Sequence, residues 1–490
     1  MRKHRNLPSE ARRIVLIDAT GRGHALTDCL TRTDPNVIVF YAPGTALTAA
    51  PRIVPVPDAD LTDPEHLANL CERIGADPVV VSHTDALTRG AVEVIRARGI
   101  PTVGPTAATV RLESSKSAMK AFCNRHDLPT ADWCAFDDRE VAKSYARRAK
   151  YPLVVKADGL CACGDGAVVC DNREGALGAI DRLSNQEFYG EAGQRIILEE
   201  FTEGQELSLF ALLTGETATI FPTAMDYKRR YDRGRGPNCD GMGSVSPHPL
   251  ETPGLIRTLE HRIVRPFLAG LRRDALDYRG FVYFGLILTT RGPKILEINV
   301  RFGDSEAEAV FPRILSPLSP MLAHAAVGRP ILDKPSVSGM VCVSVALIRG
   351  PVPGEAGSGW PDGATAGSQE ISGLRRAQAP DCRLYIANID IGRNGRPISG
   401  GGRVLHTTGL GSDFETARRA AYRAALLIQF NGKSLRTDIA RGLQDLASRS
   451  VESSLRERSM RPAANSSLAS ARSGGIENAT AQIIGHELGG

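Results

Sequence analysis

Short apolar runs open the chain at Ile14–Ile17, Val37–Tyr41 and Val79–Val81, each bounded by polar or turn-forming residues. Runs of this length read as strands buried on both faces. Helix-like stretches separate or follow them, such as Glu93–Arg98 after the third. The alternation predicts a doubly wound parallel sheet over residues 12–110. Ile100-Pro101-Thr102-Val103-Gly104-Pro105 adds one more strand and a turn. Beyond Ala108 the pattern changes. A helix is predicted over Ser115–His126. Strands follow at Leu153–Lys156, Ala167–Cys170, Ile196–Phe201, Glu206–Leu213, Thr217–Ala224, Val282–Leu288 and Ile295–Val300. So many strands with little helix between them predict an antiparallel α+β domain over 111–335. A third region, 336–442, holds a strand at Gly339–Ile348 and an irregular Gly- and Pro-rich stretch at Pro351–Gly373. Strands at Leu384–Ile389 and Arg403–Thr408 and a helix at Phe414–Phe430 complete it. From Leu443 onward Ser, Ala, Arg and Gly dominate, and 443–490 reads as a disordered tail.

Composition narrows the function classes. The 490 residues are 42% hydrophobic and 23% charged, ordinary values for folded domains. A net charge of +5, dispersed over the chain, argues against nucleic-acid binding. No apolar run approaches the length of a membrane span. The basic start is followed by no hydrophobic signal core, so a cytoplasmic protein is expected. The ten cysteines contain no Cys-x-x-Cys, and the pair Cys161 and Cys163 lacks the partners of a zinc site.

The chemistry concentrates in four places. In Lys294-Ile295-Leu296-Glu297-Ile298-Asn299-Val300-Arg301 strict alternation puts Leu296, Ile298 and Val300 on a buried face. Glu297, Asn299 and Arg301 then share the other. A carboxylate and an amide oxygen side by side suit Mg²⁺, and the arginine fork suits a phosphate or carboxylate. Lys156 ends an apolar strand before a glycine-rich turn at Gly159–Gly166, where an ammonium reaches a phosphate. Glu199 and Glu200 end another strand and can receive a nucleoside's amino and hydroxyl groups. Met225-Asp226-Tyr227-Lys228 leads into a second glycine-rich loop, Gly234–Gly243. The bland alternatives are a snorkelling lysine, an acidic strand end and a solvated charge run; each segment alone would be read that way.

In this order the segments resemble the ATP-grasp ligases and, within them, the glycinamide ribonucleotide synthetase family, over residues 13–440. Lys156-Ala157-Asp158-Gly159-Leu160, Gly236-Pro237-Asn238 with Gly241-Met242-Gly243, Arg301-Phe302-Gly303-Asp304 and Gly401-Gly402-Arg403-Val404-Leu405 look like that family's motifs. The resemblance implies an α/β and α+β multidomain ATP-grasp fold with a lid at about 130–200. It implies an ADP-forming ligase of purine-biosynthesis type, using ATP and Mg²⁺ (Mn²⁺ as the alternative) on small-molecule amine and amino-acid substrates, as a monomer or weak homo-oligomer. By the match, Lys116 and Lys156 contact the ATP phosphates. Glu199, Phe201 and Glu206 hold the adenosine, and Glu297 and Asn299 bind the metal. Asp226, Lys228, Asn238 and Arg301 address the acyl acceptor and donor. Gly21, Arg22 and His24 bind substrate from the N-terminal domain.

The chain departs from the family at three kinds of place. The first loop, Gly-Ser-Gly-Gly-Arg-Glu-His-Ala in the family, is Asp18-Ala19-Thr20-Gly21-Arg22-Gly23-His24-Ala25, and Asp18 adds negative charge where a phosphate is expected. Gly-Pro-Glu-x-Pro-Leu is Ser82-His83-Thr84-Asp85-Ala86-Leu87, and Thr45 replaces an Asn. Asp165 stands where the family's ATP loop has a lysine, and Asp240 adds a carboxylate to the second glycine-rich loop. Two alternatives follow: a specialised ligase acting on a different amine, or a non-catalytic nucleotide-binding protein. A biotin-dependent carboxylase subunit would share the core, but the Gly-Pro-Asn and Arg-Phe-Gly-Asp segments point away from it.

Overall fold

The parallel strands of the N-terminal region lie in the order Ile53–Pro55, Val37–Ala42, Arg12–Ile17, Val79–Val81, Thr102–Pro105. The computed structural model describes residues 11–161, 166–239, 241–349 and 368–445. Asp165, Asp240, Cys163, most of the Pro351–Gly373 stretch and the tail beyond residue 445 lie outside the described residues. Ile53–Pro55 and the helix Pro64–Ile74 were not anticipated, the first because three residues carry too little periodicity. The helix is well marked in retrospect: Asp63 caps it, Pro64 opens it and Gly75 closes it with φ +69°.

The parallel and antiparallel regions share one nine-stranded sheet. Thr102–Pro105 pairs antiparallel with the twelve-residue strand Tyr278–Thr289, in the register Gly104↔Arg279 and Pro105↔Tyr278. Two glycines permit the junction: a Cβ on Gly280 would stand 3.2 Å from the Cα of Gly104. Further along, Tyr278–Thr289 pairs antiparallel with Gln205–Thr214 and with Gly292–Asn299. The strand expected over Thr217–Ala224 is confined to Ala218–Ile220, since Pro222 has no amide hydrogen to continue the ladder.

A four-stranded antiparallel sheet, in the order Trp133–Phe136, Ile196–Glu200, Leu153–Ala157, Ala167–Cys170, carries the helices Arg139–Ala146 and Arg173–Leu183. It has its own hydrophobic cluster, including Val155, Ile180 and Leu198. A third sheet runs Met225–Asp226, Gly243–Ser246, Val341–Arg349, Gly402–Gly411, Cys382–Ile386. Every residue of Val341–Arg349 is buried. The alanine face of Phe414–Leu427 (Ala417, Ala420, Ala421, Ala424) lies against this sheet, which the small side chains allow. The expected strand Leu384–Ile389 is two strands, Cys382–Ile386 and Ile389–Ile391.

Three buried histidines make the fold acid-sensitive. Burial lowers the pKa of His24, His248 and His406 from 6.5 to about 4. Between those values the unfolded chain binds protons that the folded chain does not. Their contribution is therefore complete above pH 6.5 and is lost as the pH falls toward 4. Urea midpoints should fall steadily from about pH 7 to about pH 5. A flat profile over that window would contradict neutral, buried rings.

Candidate active site

A cavity of about 490 Å³ opens between the four-stranded sheet and the long antiparallel strands. Eleven of the fourteen residues expected at a site line it: Lys116, Lys156, Glu199, Phe201, Glu206, Asp226, Lys228, Asn238, Glu297, Asn299 and Arg301. Gly21, Arg22 and His24 do not.

Strict alternation misassigns one residue of the metal-candidate strand. The register against Tyr278–Thr289 shifts so that Gly285 faces Glu297 while Leu286 faces Ile295. This bulge leaves Leu296 unpaired and reverses the parity before it. Ile295, not Leu296, is buried, and Leu296 becomes an apolar wall of the cavity. Glu297, Asn299 and Arg301 keep the face expected of them.

Glu297 Oε1 accepts from Lys228 Nζ at 3.0 Å, and Lys228 also lies 3.4 Å from Glu206 Oε2. Burial raises the Glu297 pKa, but Lys228, with Lys156 and Lys116, outweighs it and holds the carboxyl at about 2. Glu297 is thus ionised beside the Asn299 amide, a hard-oxygen pair that fits a divalent cation. Burial opposes the charge on Lys228, and its acidic neighbours, Glu297 first, raise its pKa well above the ordinary value.

The lysines are set by a tight local frame. Ser115 caps the helix Lys116–Arg125 by accepting from Ala118 N. The Asp158 carboxylate accepts from Ser117 N at 2.6 Å and Ser117 Oγ at 2.8 Å, tying the strand-end turn to the helix start. Lys116 Nζ donates to Gly159 O at 2.9 Å. Burial first, and Lys156 next among the lowering influences, depress the Lys116 pKa, and an incoming polyanion would offset the lysine's repulsion. Lys156 Nζ and Lys120 Nζ each lie 2.5 Å from Glu199, one on each carboxylate oxygen. Glu199 is 2% exposed and Lys120 1%. The Glu199 carboxylate, expected to meet a nucleoside, is here spent on two ammonium groups; Phe201 and Glu206 remain toward the cavity. Lys120 escaped the sequence reading, although it stands four residues after Lys116, on the same helical face.

Arg301 is positioned by residues that sequence reasoning had not singled out. Its Nη2 pairs with Glu113 Oε1 at 2.9 Å, and its Nε donates to Thr84 Oγ1 at 3.2 Å. Glu113 Oε2 in turn accepts from Val300 N. Phe302 stacks on Phe210 at 4.1 Å and packs against Phe311, anchoring the turn. Asp226 and the buried Glu306 form a second acid pair. Burial, then the Glu306 charge, raises the Asp226 pKa well above the ordinary range, and burial raises that of Glu306. Glu306 Oε1 also accepts from Ser208 Oγ at 2.9 Å.

The first loop differs from its expectation. Asp18 does not confront the cavity: it is fully buried, pairs with Arg22 Nε at 2.9 Å, and accepts from Thr20 N and Oγ1. Burial opposes its charge, and Arg22 heads the influences that still leave its pKa lowered. Arg22 spends its other nitrogens on Phe302 O and Ser82 O. His24 Nδ1 accepts from Ile386 N.

Three family models match in succession. They are the phosphoribosylglycinamide synthetase N domain over residues 12–113, its ATP-grasp (A) domain over 114–307 and its C domain over 355–442. A phosphoribosylamine–glycine ligase of Caulobacter vibrioides is 36% identical over 436 residues, 88% of this chain and 98% of its own length. The trifunctional purine biosynthetic protein adenosine-3 of Homo sapiens is 33% identical over 88% of this chain and 42% of its own. The crystal structure of the Thermotoga maritima phosphoribosylamine–glycine ligase superposes with a TM-score of 0.73. It shares 29% identity over 87% of this chain and all of its own. The biotin carboxylase domain of the Hydrogenobacter thermophilus 2-oxoglutarate carboxylase shares the fold alone, with a TM-score of 0.64 at 14% identity. No helix among the described residues is long and apolar enough to cross a membrane. The cavity lined by Lys116, Lys156 and an ionised Glu297 beside the Asn299 amide lies in a chain matched by all three models, whose family uses ATP and a divalent metal: the protein belongs to the phosphoribosylglycinamide synthetase family of ATP-grasp ligases.

Proposed function

We propose that the protein joins glycine, or a similarly small amino acid, to phosphoribosylamine with conversion of ATP to ADP and phosphate. The observation that carries the reading is the convergence of eleven expected residues, from distant parts of the chain, on one cavity. Lys116 and Lys156 receive the phosphates of ATP. Phe201 and Glu206 border the base and ribose, with Glu199 fixing Lys156 and Lys120 behind them. Glu297 and Asn299 would hold Mg²⁺, with Mn²⁺ the alternative, whose charge would balance the polyphosphate. The amino-acid carboxylate attacks the γ-phosphorus and ADP leaves. The amine then attacks the acyl carbon, phosphate leaves, and the amine gives up a proton, for which Asp226 is the nearby carboxylate. Lys228 and Asn238 border the acyl donor, and Arg301, held by Glu113 and Thr84, faces the acceptor. Gly21, Arg22 and His24 act on the acceptor by shaping its pocket. The four-stranded sheet with its own core serves as the lid that excludes water from the acyl phosphate. Soluble substrates suit a monomer in the cytoplasm, a weak homo-oligomer being the alternative.

A second reading, ligation of a different amine, draws on Arg22. It is the only cation of the loop Asp18–Ala25 apart from His24, whose buried ring is neutral at pH 7, and it is spent on Asp18. The test is ADP release with Mg²⁺-ATP and glycine, with freshly generated phosphoribosylamine in one arm and other amines in another. Stimulation by phosphoribosylamine supports the first reading and stimulation only by another amine the second. Silence in every arm contradicts both.

A further inference from the structure

Beneath the floor of the cavity, Asp304, Glu308 and His406 bring three side chains together from two distant segments. The arrangement poses a physical problem. Glu308 and His406 are 0% exposed and Asp304 3%. Both oxygens of Glu308 and Nε2 of His406 lack a hydrogen-bond partner. Buried polar atoms are seldom left so, because each costs its full desolvation.

We propose that Asp304, Glu308 and His406 bind a divalent d-block cation, best matched by Zn²⁺, at a site separate from the Glu297–Asn299 pair. His406 Nε2 lies 3.5 Å from Asp304 Oδ1 and 3.5 Å from Glu308 Oε1. Charge-assisted hydrogen bonds are shorter, about 2.7–2.9 Å. Ligands bound at roughly 2.0–2.2 Å around a tetrahedral ion stand about 3.3–3.6 Å apart, the spacing found here. Ser344 Oγ lies 3.5 Å from Nδ1, so the tautomer with its N–H on Nδ1 has a partner there and turns the Nε2 lone pair toward the acids. An imidazole beside two carboxylates favours Zn²⁺ or its neighbours over Mg²⁺ and Ca²⁺, which prefer oxygen alone.

The surrounding charge agrees. Arg403 Nη1 donates to Asp304 O at 2.8 Å and lies 3.2 Å from Oδ1, holding that carboxylate in place. Among the described residues, Asp18, Asp304 and Glu308 face two cations, Arg22 and Arg403, leaving one negative charge when all are ionised. Space is kept open by Gly21: a Cβ there would stand 3.0 Å from His406 Cδ2 and closer still to Glu308 Oε1. Asp304 also borders the cavity, which supplies the entry path.

The test uses the full chain, stripped with a chelator and titrated with Co²⁺ without nucleotide. One equivalent should bind with the visible absorption of tetrahedral cobalt, and Zn²⁺ should displace it. Glu308→Gln and His406→Ala should each weaken binding by about a hundredfold or more, while Glu297→Ala keeps it. Absence of saturable Co²⁺ binding in the wild type, or affinity unchanged in both variants, overturns the proposal. Should the variants misfold, anomalous diffraction from wild-type crystals grown with Zn²⁺ decides. A peak between the three side chains supports the site, and no peak there overturns it.

Discussion

Replacing Glu297 by alanine should lower kcat for ADP release by roughly 10²–10³-fold or more, the scale of losing a principal electrostatic group at the reacting centre. Glu297 combines two roles that no other residue of the cavity duplicates. It is the carboxylate held ionised, at about 2, by Lys228 despite burial. It also stands two residues from Asn299 on the same strand, next to the bulge. Glu297→Gln separates charge from shape: it keeps the side-chain volume and removes the anion. If charge is what matters, Gln and Ala variants should be equally slow. Folding should survive in both, because Lys228 retains Glu206 at 3.4 Å. Steady-state assays with thermal melts would check this, and a Glu297→Ala enzyme within a few-fold of wild type would remove the residue from the mechanism.

Glu199→Ala should be the most destabilising change in the cavity, by roughly 3–5 kcal/mol, because it strands the buried Lys120 ammonium and the half-buried Lys156 one. Lys120 and Lys156 each rest 2.5 Å from that one carboxylate. Burial already lowers the Lys120 pKa to about 8 even with Glu199 in place. Without the carboxylate, folding must drive off Lys120 a proton that the unfolded chain still holds. Stability of the variant should therefore rise with pH, and between about pH 7 and 9 it should recover more than the wild type gains. Urea titrations at the two pH values would show it. Equal pH slopes would mean the ammonium groups are not the source of the loss.

Much of this arrangement was legible in the chain, and the exceptions have physical causes. Glu297, Asn299 and Arg301 follow from period-two alternation, which holds wherever a strand is regular. Leu296 does not, because a bulge is a property of two paired strands and the partner register is invisible in one of them. Lys156 announces itself beside a glycine-rich turn, whereas Lys116 was reached only through the family resemblance. Lys120 and Glu113 sit mid-helix or at a helix end, and only the fold reveals that they brace Glu199 and Arg301. Asp18 was expected to repel a phosphate. Its partner, Arg22, is four residues away on the first turn of the helix Gly21–Thr33, close enough to have been recognised as an i,i+4 pair. The family matches agree with the reading of the whole chain because ordered motifs survive in all three regions.

The pairing of Thr102–Pro105 with Tyr278–Thr289 also constrains how the gene can be divided. A cut at residue 113, where the N-domain match ends, looks natural in the sequence. In the fold it would separate two hydrogen-bonded strands and bare an unprotected edge on each fragment. Raw edges of that kind recruit other chains. The fragments would have to be produced together and find each other before aggregating, and a split-protein reporter built on this scaffold should be broken elsewhere.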